Sequence, residues 1–328
     1  MTPSLPKTSK QWNVVLPGQD GFDSLKLTEK PLQELGDNQV LVKIPSSDGA
    51  GTVLAVGKHV TRFQPGDSVI TMLHQQHIAG SVDPRIVKYG IGATLDGTLQ
   101  TVGTFNEQGL VAMPKGLSFI EASTLSCAGL TAWNALFGLP GKQVTAGQWV
   151  LTQGTGGVSL FAVQFAKAVG ARVIATTSSS EKGKILEKLG ADHVINYRET
   201  PEWGALAKSL TGDVGVDHVV EVAGPTSIAQ SVASLKLDGT LSVIGSVGGG
   251  DGKEVPNLIA CWMHLFTARG VWVGNRMQME DMCRAIEANP EKLRPVINPK
   301  VFTLDQVKEA YEYQWAGKHQ GKIGIEIS

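Results

Sequence analysis

The spacing of apolar positions changes near residue 120. Before it, they come in short runs rich in Val, Ile and Leu, such as LVKI, GTVLAVG, DSVITML and GLVAMP, punctuated by Gly, Pro, Asp and Lys. Such runs predict antiparallel strands in a barrel or sandwich, with no periodic helix over residues 10–120. SFIEASTLSCAGLTAWNALF then predicts two helical pieces. After it, strands alternate with helices: WVLTQG, GVSLFAVQFAKAVG, ARVIATTS, EKGKILEKLG, HVINY, PEWGALAKSL, VDHVVEVAG, SIAQSVASLK and TLSVIGS. This βαβ alternation, with nearly continuous apolar strands, predicts a doubly wound parallel sheet covered by helices on both faces. GVWVG is expected as an edge strand and MQMEDMCRAIEA as an amphipathic helix. A strand and helix within RPVINPKVFTLDQVKEAYEYQWAG and a last strand in GKIGIEIS complete the chain. The fold class is α/β. Residues 1–128 and 276–328 are expected to form a β-rich domain, with residues 129–275 inserted as the βαβ domain.

Composition narrows the class. A chain of 328 residues has room for about two domains. With 42% hydrophobic and 18% charged residues, intrinsic disorder is excluded. A net charge of -1 gives no electrostatic case for nucleic acid or an anionic membrane. Cys127, Cys261 and Cys283 form no CxxC pair. They are too few for a disulfide scaffold or a four-cysteine zinc lobe, and they fit a reducing compartment. The start, MTPSLPKTSKQW, has no apolar core of a signal peptide. The longest apolar stretch is broken by Gln164 and Lys167 and is too short to span a bilayer. The expectation is a cytoplasmic protein with neither membrane nor nucleic-acid partners.

The sharpest motif is QGTGGVS, residues 153–159, between the strand WVLT and an apolar helix. Gly154 permits a tight turn and Gly156 lets backbone approach a pyrophosphate, which the helix N-terminus attracts. Ser159 stands where GxGxxG has its third glycine, so a side chain must fit where helix meets strand. Strand, glycine turn, helix and second strand together predict dinucleotide binding. The second strand ends in ATTSSSEK rather than in an acidic residue. Its hydroxyls and Lys182 favour NADPH over NADH, while the serines also suit a helix cap. GSVGGG, residues 245–250, reads either as a second cofactor loop or as a surface loop. His74 and His77 lack a third ligand nearby and read as packed or surface histidines. Trp133, Trp149, Trp203, Trp262, Trp272 and Trp315 share no spacing and read as core or interface.

These residues resemble the medium-chain dehydrogenase/reductases, in particular their zinc-independent, quinone-reductase-like, alcohol dehydrogenase-like and enoyl reductase members. GAGTVLAVGKHVTRFQPGDSV, the hinge VAMPKGLSFIEASTLSCAGLTAWNAL, LGADHVINYRE, DHVVEVAG, KLDGTLSVIG and GKHQGKIGIEI carry the likeness over nearly the whole chain. The resemblance implies a GroES-like β-barrel domain, a Rossmann domain and a cleft between them. It implies that Gly154, Gly156, Gly157 and Val158 hold the pyrophosphate. Ser178, Ser179, Lys182 and Tyr197 would surround the adenosine 2′-phosphate. Thr131 would lie against the nicotinamide, and the stretches around Ala223 and Gly245 along the ribose and nicotinamide. Asn275 would lie near the same cleft.

Two departures bear on chemistry. Zinc-dependent members carry a GHE box before the GAG turn; here SSDGAG places Ser47 at the histidine and Asp48 at the acidic position. Cys127 stands at another family ligand position and reads as a small buried side chain. Relatives also make an excursion before this box that borders the substrate, whereas Pro45 and Ser46 alone join Ile44 to Ser47. Three residues reach at most ~11 Å, so the next strand must fold back as a hairpin or shift register. The expected function is NADPH-dependent hydride transfer to or from a small carbonyl, quinone or activated alkene, without zinc and with no acid assigned. The missing excursion leaves open a catalytically impaired NADPH-binding protein, with a wide cleft and low turnover. A zinc-dependent alcohol dehydrogenase is disfavoured by Ser47. An apolar edge strand suggests a homodimer.

Overall fold

The computed structural model describes residues 5–15, 22–86, 89–250 and 255–328. The chain forms two compact units. The first holds residues 1–127, 275–290 and 294–328, and the second residues 128–274 and 291–293.

The first unit begins with an antiparallel pair, β1 (Thr8–Val14) and β2 (Leu25–Pro31). β3 (Gln39–Ser47), β4 (Ala50–Val56), β5 (Ser68–Thr71), β6 (Val102–Asn106), β7 (Leu110–Ala112) and α1 (Phe119–Ser123) follow. Val40, Val42 and Ile44 are buried at alternate positions of β3, as one face of a strand requires. They pack with Val53, Val69, Phe105 and Leu110 into the barrel core.

The short junction after Ile44 is a hairpin. β3 runs through Pro45 and pairs antiparallel with β4, Lys43 opposite Thr52 and Ser46 opposite Ala50. Two residues of β3 lie between those pairs against one of β4, so a bulge absorbs the misfit and Val53 stays buried. Gly49 closes the turn at φ +89 with its N–H on the Ser46 carbonyl, 3.1 Å away. A Cβ there would lie 2.3 Å from Thr71 Oγ1, so the turn needs glycine for both conformation and space.

One turn of π-helix, Leu125–Gly129, leads to α2 (Leu130–Phe137). The second unit continues with β8 (Trp149–Gln153), α3 (Gly157–Ala168), β9 (Arg172–Thr177), α4 (Ser180–Lys188), β10 (His193–Asn196) and α5 (Trp203–Ser209). β11 (Val216–Glu221), α6 (Ile228–Ser234), β12 (Leu235–Val243), α7 (Ile259–Met263) and β13 (Thr267–Gly270) complete it. The sheet is parallel in the order β10-β9-β8-β11-β12-β13. Chain direction across the sheet reverses between β8 and β11, where open parallel sheets bind ligands beyond their strand ends. Leu151, Ile174 and Val219 have no exposed surface, as strands covered on both faces require.

The edge strand corrects the expectation of GVWVG. β13 is Thr267–Gly270 and shares only Gly270 with that segment. Val271 still donates to the Val243 carbonyl at 2.9 Å, but Val273 adopts φ +53 and the ladder ends. Trp272 is left 56% exposed.

The chain returns to the first unit through α8 (Arg276–Ala288), β14 (Phe302–Thr303), α9 (Val307–Trp315) and β15 (Ile325–Glu326). β15 pairs with β3 at Ser46 and Ser47 and so joins β14 to the sheet beside the short junction. Among the described residues no helix is long and apolar enough to cross a membrane.

Candidate functional site

β8 ends at Gln153 and the glycine turn follows at once. Gly154 adopts φ +75 and donates its N–H to the Thr176 carbonyl of β9 at 2.7 Å. Gly156 is the N-cap of α3, and no side chain caps that helix. Its first-turn N–H groups therefore remain available to an anion. A Cβ on Gly154 or Gly156 would meet no heavy atom within 4 Å, so the space outside both is open. Gly157 and Val158, half-buried, form the first turn. Ser159 is accommodated at the third glycine position because its hydroxyl donates to the Gln153 carbonyl at 2.5 Å.

The end of β9 lies beside this turn. Thr177 is buried, and its carbonyl accepts the Tyr197 N–H at 3.0 Å, which holds Tyr197 just beyond the end of β10. Ser179 caps α4 by accepting the Lys182 N–H at 3.3 Å. One serine is thus committed to capping. Ser178 and Lys182 are half-buried beside it.

The loops after β11 and β12 pack against one another. Gly248 N–H donates to the Ala223 carbonyl at 2.8 Å, and Val247 N–H to Val222 at 3.3 Å. GSVGGG is therefore fastened to the 222–224 turn at the carboxyl end of the sheet, with Ala223 and Gly245 in adjoining loops. Thr131 is buried in the first turn of α2. Asn275 belongs to the first unit, where its side chain accepts the Gln278 N–H at 2.9 Å and caps α8. The glycine turn, Ser178, Ser179, Lys182, Tyr197, Ala223 and Gly245 all lie at the carboxyl ends of the parallel strands.

The profile of the alcohol dehydrogenase GroES-like domain matches residues 24–115, and that of zinc-binding dehydrogenases matches residues 157–288. A zinc-type alcohol dehydrogenase-like protein of Schizosaccharomyces pombe is 41% identical over 338 positions, covering 94% of this chain and 96% of that protein. The chain belongs to the medium-chain dehydrogenase/reductase family. A structure described as a candidate alcohol dehydrogenase from Sinorhizobium meliloti 1021 superposes with a TM-score of 0.88 at 36% identity, covering 98% of this chain and 100% of that one. Crotonyl-CoA reductase of Streptomyces collinus is 27% identical over 314 positions, 86% of this chain and 67% of that protein. Medium-chain dehydrogenase/reductases are oxidoreductases, and the parallel sheet with a GroES-like partner is their fold.

The name of the matching family raises the question of zinc, and so of the donors that the first unit offers. Asp48, Asp96 and Cys127 line a cavity of about 510 Å³ together with Trp12, Ser126 and Tyr311. Cys127 is half-buried there, which corrects its expected burial, because the π-turn presents it to the cavity. Thr71 and Ser126 hydroxyls donate to the Asp48 carbonyl at 2.9 Å, and Lys322 Nζ lies 3.9 Å from its carboxylate. Burial first, then Asp48, raises the Tyr311 phenol above its ordinary pKa. The Ser47 side chain lies outside the described residues. Among the described residues no three His, Cys, Asp or Glu side chains gather as a metal site, and a catalytic zinc takes three protein ligands. His74 and His77 are buried, and His77 Nε2 lies 3.0 Å from the Gly80 carbonyl. Burial, then the neighbouring His77, lowers the His74 pKa.

Two residues of the site carried no role in the sequence reading. Gln153, just before the glycine turn, and Glu221, the last residue of β11, are buried and joined by a 2.8 Å hydrogen bond beneath both loops. Their signal is a polar residue ending each of two neighbouring apolar strands, WVLTQ and VDHVVE.

Proposed function

We propose that this protein transfers hydride between NADPH and a small carbonyl, quinone or activated alkene, without zinc. The observation that carries the cofactor choice is the end of β9. It presents Ser178, Ser179 and Lys182 and no carboxylate where an NADH-specific site places one against the ribose. Tyr197 stands beside it through its bond to Thr177. Gly154, Gly156, Gly157 and Val158 would hold the pyrophosphate, and the Ala223 and Gly245 loops the nicotinamide side. The bound nicotinamide supplies the hydride chemistry; the protein binds, orients and excludes water. The cavity at Asp48, Asp96 and Cys127, where no three such donors gather as a metal site among the described residues, supports the zinc-free reading. The names of the relatives span alcohols and an enoyl thioester, so carbonyl and alkene reduction both stay within the reading. Titration of NADPH and NADH tests it: NADPH should bind more tightly, and Ser178→Asp should weaken NADPH selectively by setting a carboxylate against the 2′-phosphate. Equal affinity for both in the parent protein would sink the cofactor assignment.

A second reading, NADPH binding with reduced turnover, is favoured by the hairpin at Ser46–Ala50. The S. pombe relative aligns over 338 positions, more than the 328 residues here, so it holds residues with no counterpart in this chain. Grafting an excursion between Ile44 and Ser47 should then raise turnover more than it changes NADPH affinity. We also infer a homodimer through the β13 edge, near which Ile259, Trp262 and Trp272 are exposed.

A further inference from the structure

Glu221 has no exposed surface, and five donors converge on its two oxygens. Oε1 accepts the backbone N–H groups of Ala223 at 3.0 Å and Gly224 at 2.8 Å, and the Ser227 hydroxyl at 2.6 Å. Oε2 accepts the Gln153 amide nitrogen at 2.8 Å and the Ser231 hydroxyl at 2.5 Å. The Glu221 backbone carbonyl accepts the Ile244 N–H at 2.8 Å. Gln153 precedes Gly154, Ala223 and Gly224 form the turn after β11, and Ile244 precedes Gly245. One residue therefore binds the chain beside each of the three loops at the strand ends.

Burying a carboxylate is costly unless every neighbour donates to it, and here every neighbour does. Apolar side chains would hold two parallel strands together at least as well. The carboxylate adds orientation. Gln153 must turn its nitrogen toward Glu221, because its oxygen accepts the N–H groups of Val222 at 3.1 Å and Ala223 at 3.2 Å. Flipping that amide would set its nitrogen against the N–H groups of Val222 and Ala223 and its oxygen against the Glu221 carboxylate. The circuit thus fixes the glycine turn relative to the 222–224 turn, and Gly224 then packs on the loop after β12, where an added Cβ would lie 2.6 Å from Ser246 Cα.

We propose that Glu221 is a positioning residue for dinucleotide binding, which locks Gln153 and the 222–224 turn so that the glycine turn and the two loops beyond β11 and β12 meet one ligand in one geometry. This rests on the dinucleotide reading above. Glu221 touches no ligand and acts through Gln153 and the turn.

The substitution Glu221→Gln tests it, because the new amide nitrogen faces a donor whichever way it points. In the full chain, held well below its melting temperature, NADPH and NADH should each bind about tenfold more weakly. Their affinity ratio should not change, since Ser178 and Lys182 are untouched. The double variant Gln153→Glu with Glu221→Gln restores a complete donor–acceptor set. The carboxylate moved to position 153 would accept the N–H groups of Val222 and Ala223 and the new amide nitrogen. The amide oxygen at position 221 would accept Ala223, Gly224 and Ser227. This swap should recover most of the lost affinity for both cofactors. Should Glu221→Gln not fold, Ser227→Ala, which removes one donor and keeps the carboxylate, should weaken both cofactors severalfold. A folded Glu221→Gln with parental affinities, or a loss confined to NADPH, would overturn the proposal even if the melting temperature fell. A parent protein that binds neither cofactor would instead overturn the dinucleotide reading on which it rests.

Discussion

Replacing Gly156 by alanine separates a glycine kept for a ligand from one kept for the fold. Gly156 sits at φ −75 and ψ 168, extended backbone open to any residue, and a Cβ there meets nothing within 4 Å. Two small terms act on the unliganded protein. Alanine restricts the unfolded chain and stabilises by about 0.4–1 kcal/mol. As an N-cap it is poorer than glycine, by about 1 kcal/mol. The net change in stability should fall within about 1 kcal/mol of zero. Binding should respond differently, because the methyl occupies the space through which a pyrophosphate reaches the first turn of α3. Losing one charge-assisted hydrogen bond costs about 1.5–3 kcal/mol, or roughly ten- to hundredfold in Kd. Gly154→Ala is the contrast: its φ of +75 costs an L residue about 1–2 kcal/mol before any ligand is added. Thermal melts of the unliganded variants, with NADPH titrations of each, read both effects. Gly156→Ala with unchanged melting and unchanged NADPH affinity would refute the cradle, and a large drop in melting temperature would refute the conformational argument.

Three further outcomes follow. Burial holds His218 at a pKa of about 4, against the opposing pull of Asp217, so the unfolded chain takes up a proton between about pH 6.5 and pH 4 that the folded chain does not. Stability should fall as pH drops through that window, by up to about 3 kcal/mol from this group, and urea melts of His218→Gln should show a shallower slope than the parent; equal slopes would contradict it. Gly49→Ala should destabilise the barrel unit by more than about 2 kcal/mol, since φ is +89 and the methyl would lie 2.3 Å from Thr71 Oγ1 and 2.6 Å from Thr98 Cγ2; a parental urea midpoint would show that the turn relaxes. Light scattering at micromolar concentration should give a dimer that Trp262→Glu converts to monomer, and a monomeric parent would remove the edge-strand interface.

The inner strands of the parallel sheet are legible because runs such as WVLT and VDHVVEV are mostly apolar and bounded by glycine or a helix signal. The glycine turn was legible because spacing alone specifies its conformation. The edge strand was misplaced because GVWVG is apolar enough for a strand, while the ladder along TARG is held by backbone pairing that composition does not reveal. The Gln153–Glu221 pair could not be read because its partners are 68 residues apart in sequence and meet only when β8 and β11 lie side by side. At the junction after Ile44 the chain was too short for an excursion, but only the β3–β4 pairing distinguishes a bulged hairpin from a slipped strand. The partial exposure of Cys127 depends on a π-turn, which no residue pattern in LSCAG announces.

Zinc-free hydride transfer from NADPH is directly measurable. NADPH oxidation should be followed with a panel of small ketones and aldehydes, quinones and enoyl thioesters, using protein purified without chelator whose zinc content is measured in the same sample. Zinc should stand well under one per chain, and at least one substrate class should turn over at a rate that neither chelator nor added zinc alters. Absence of turnover across the panel, or turnover that requires one tightly held zinc per chain, would contradict it.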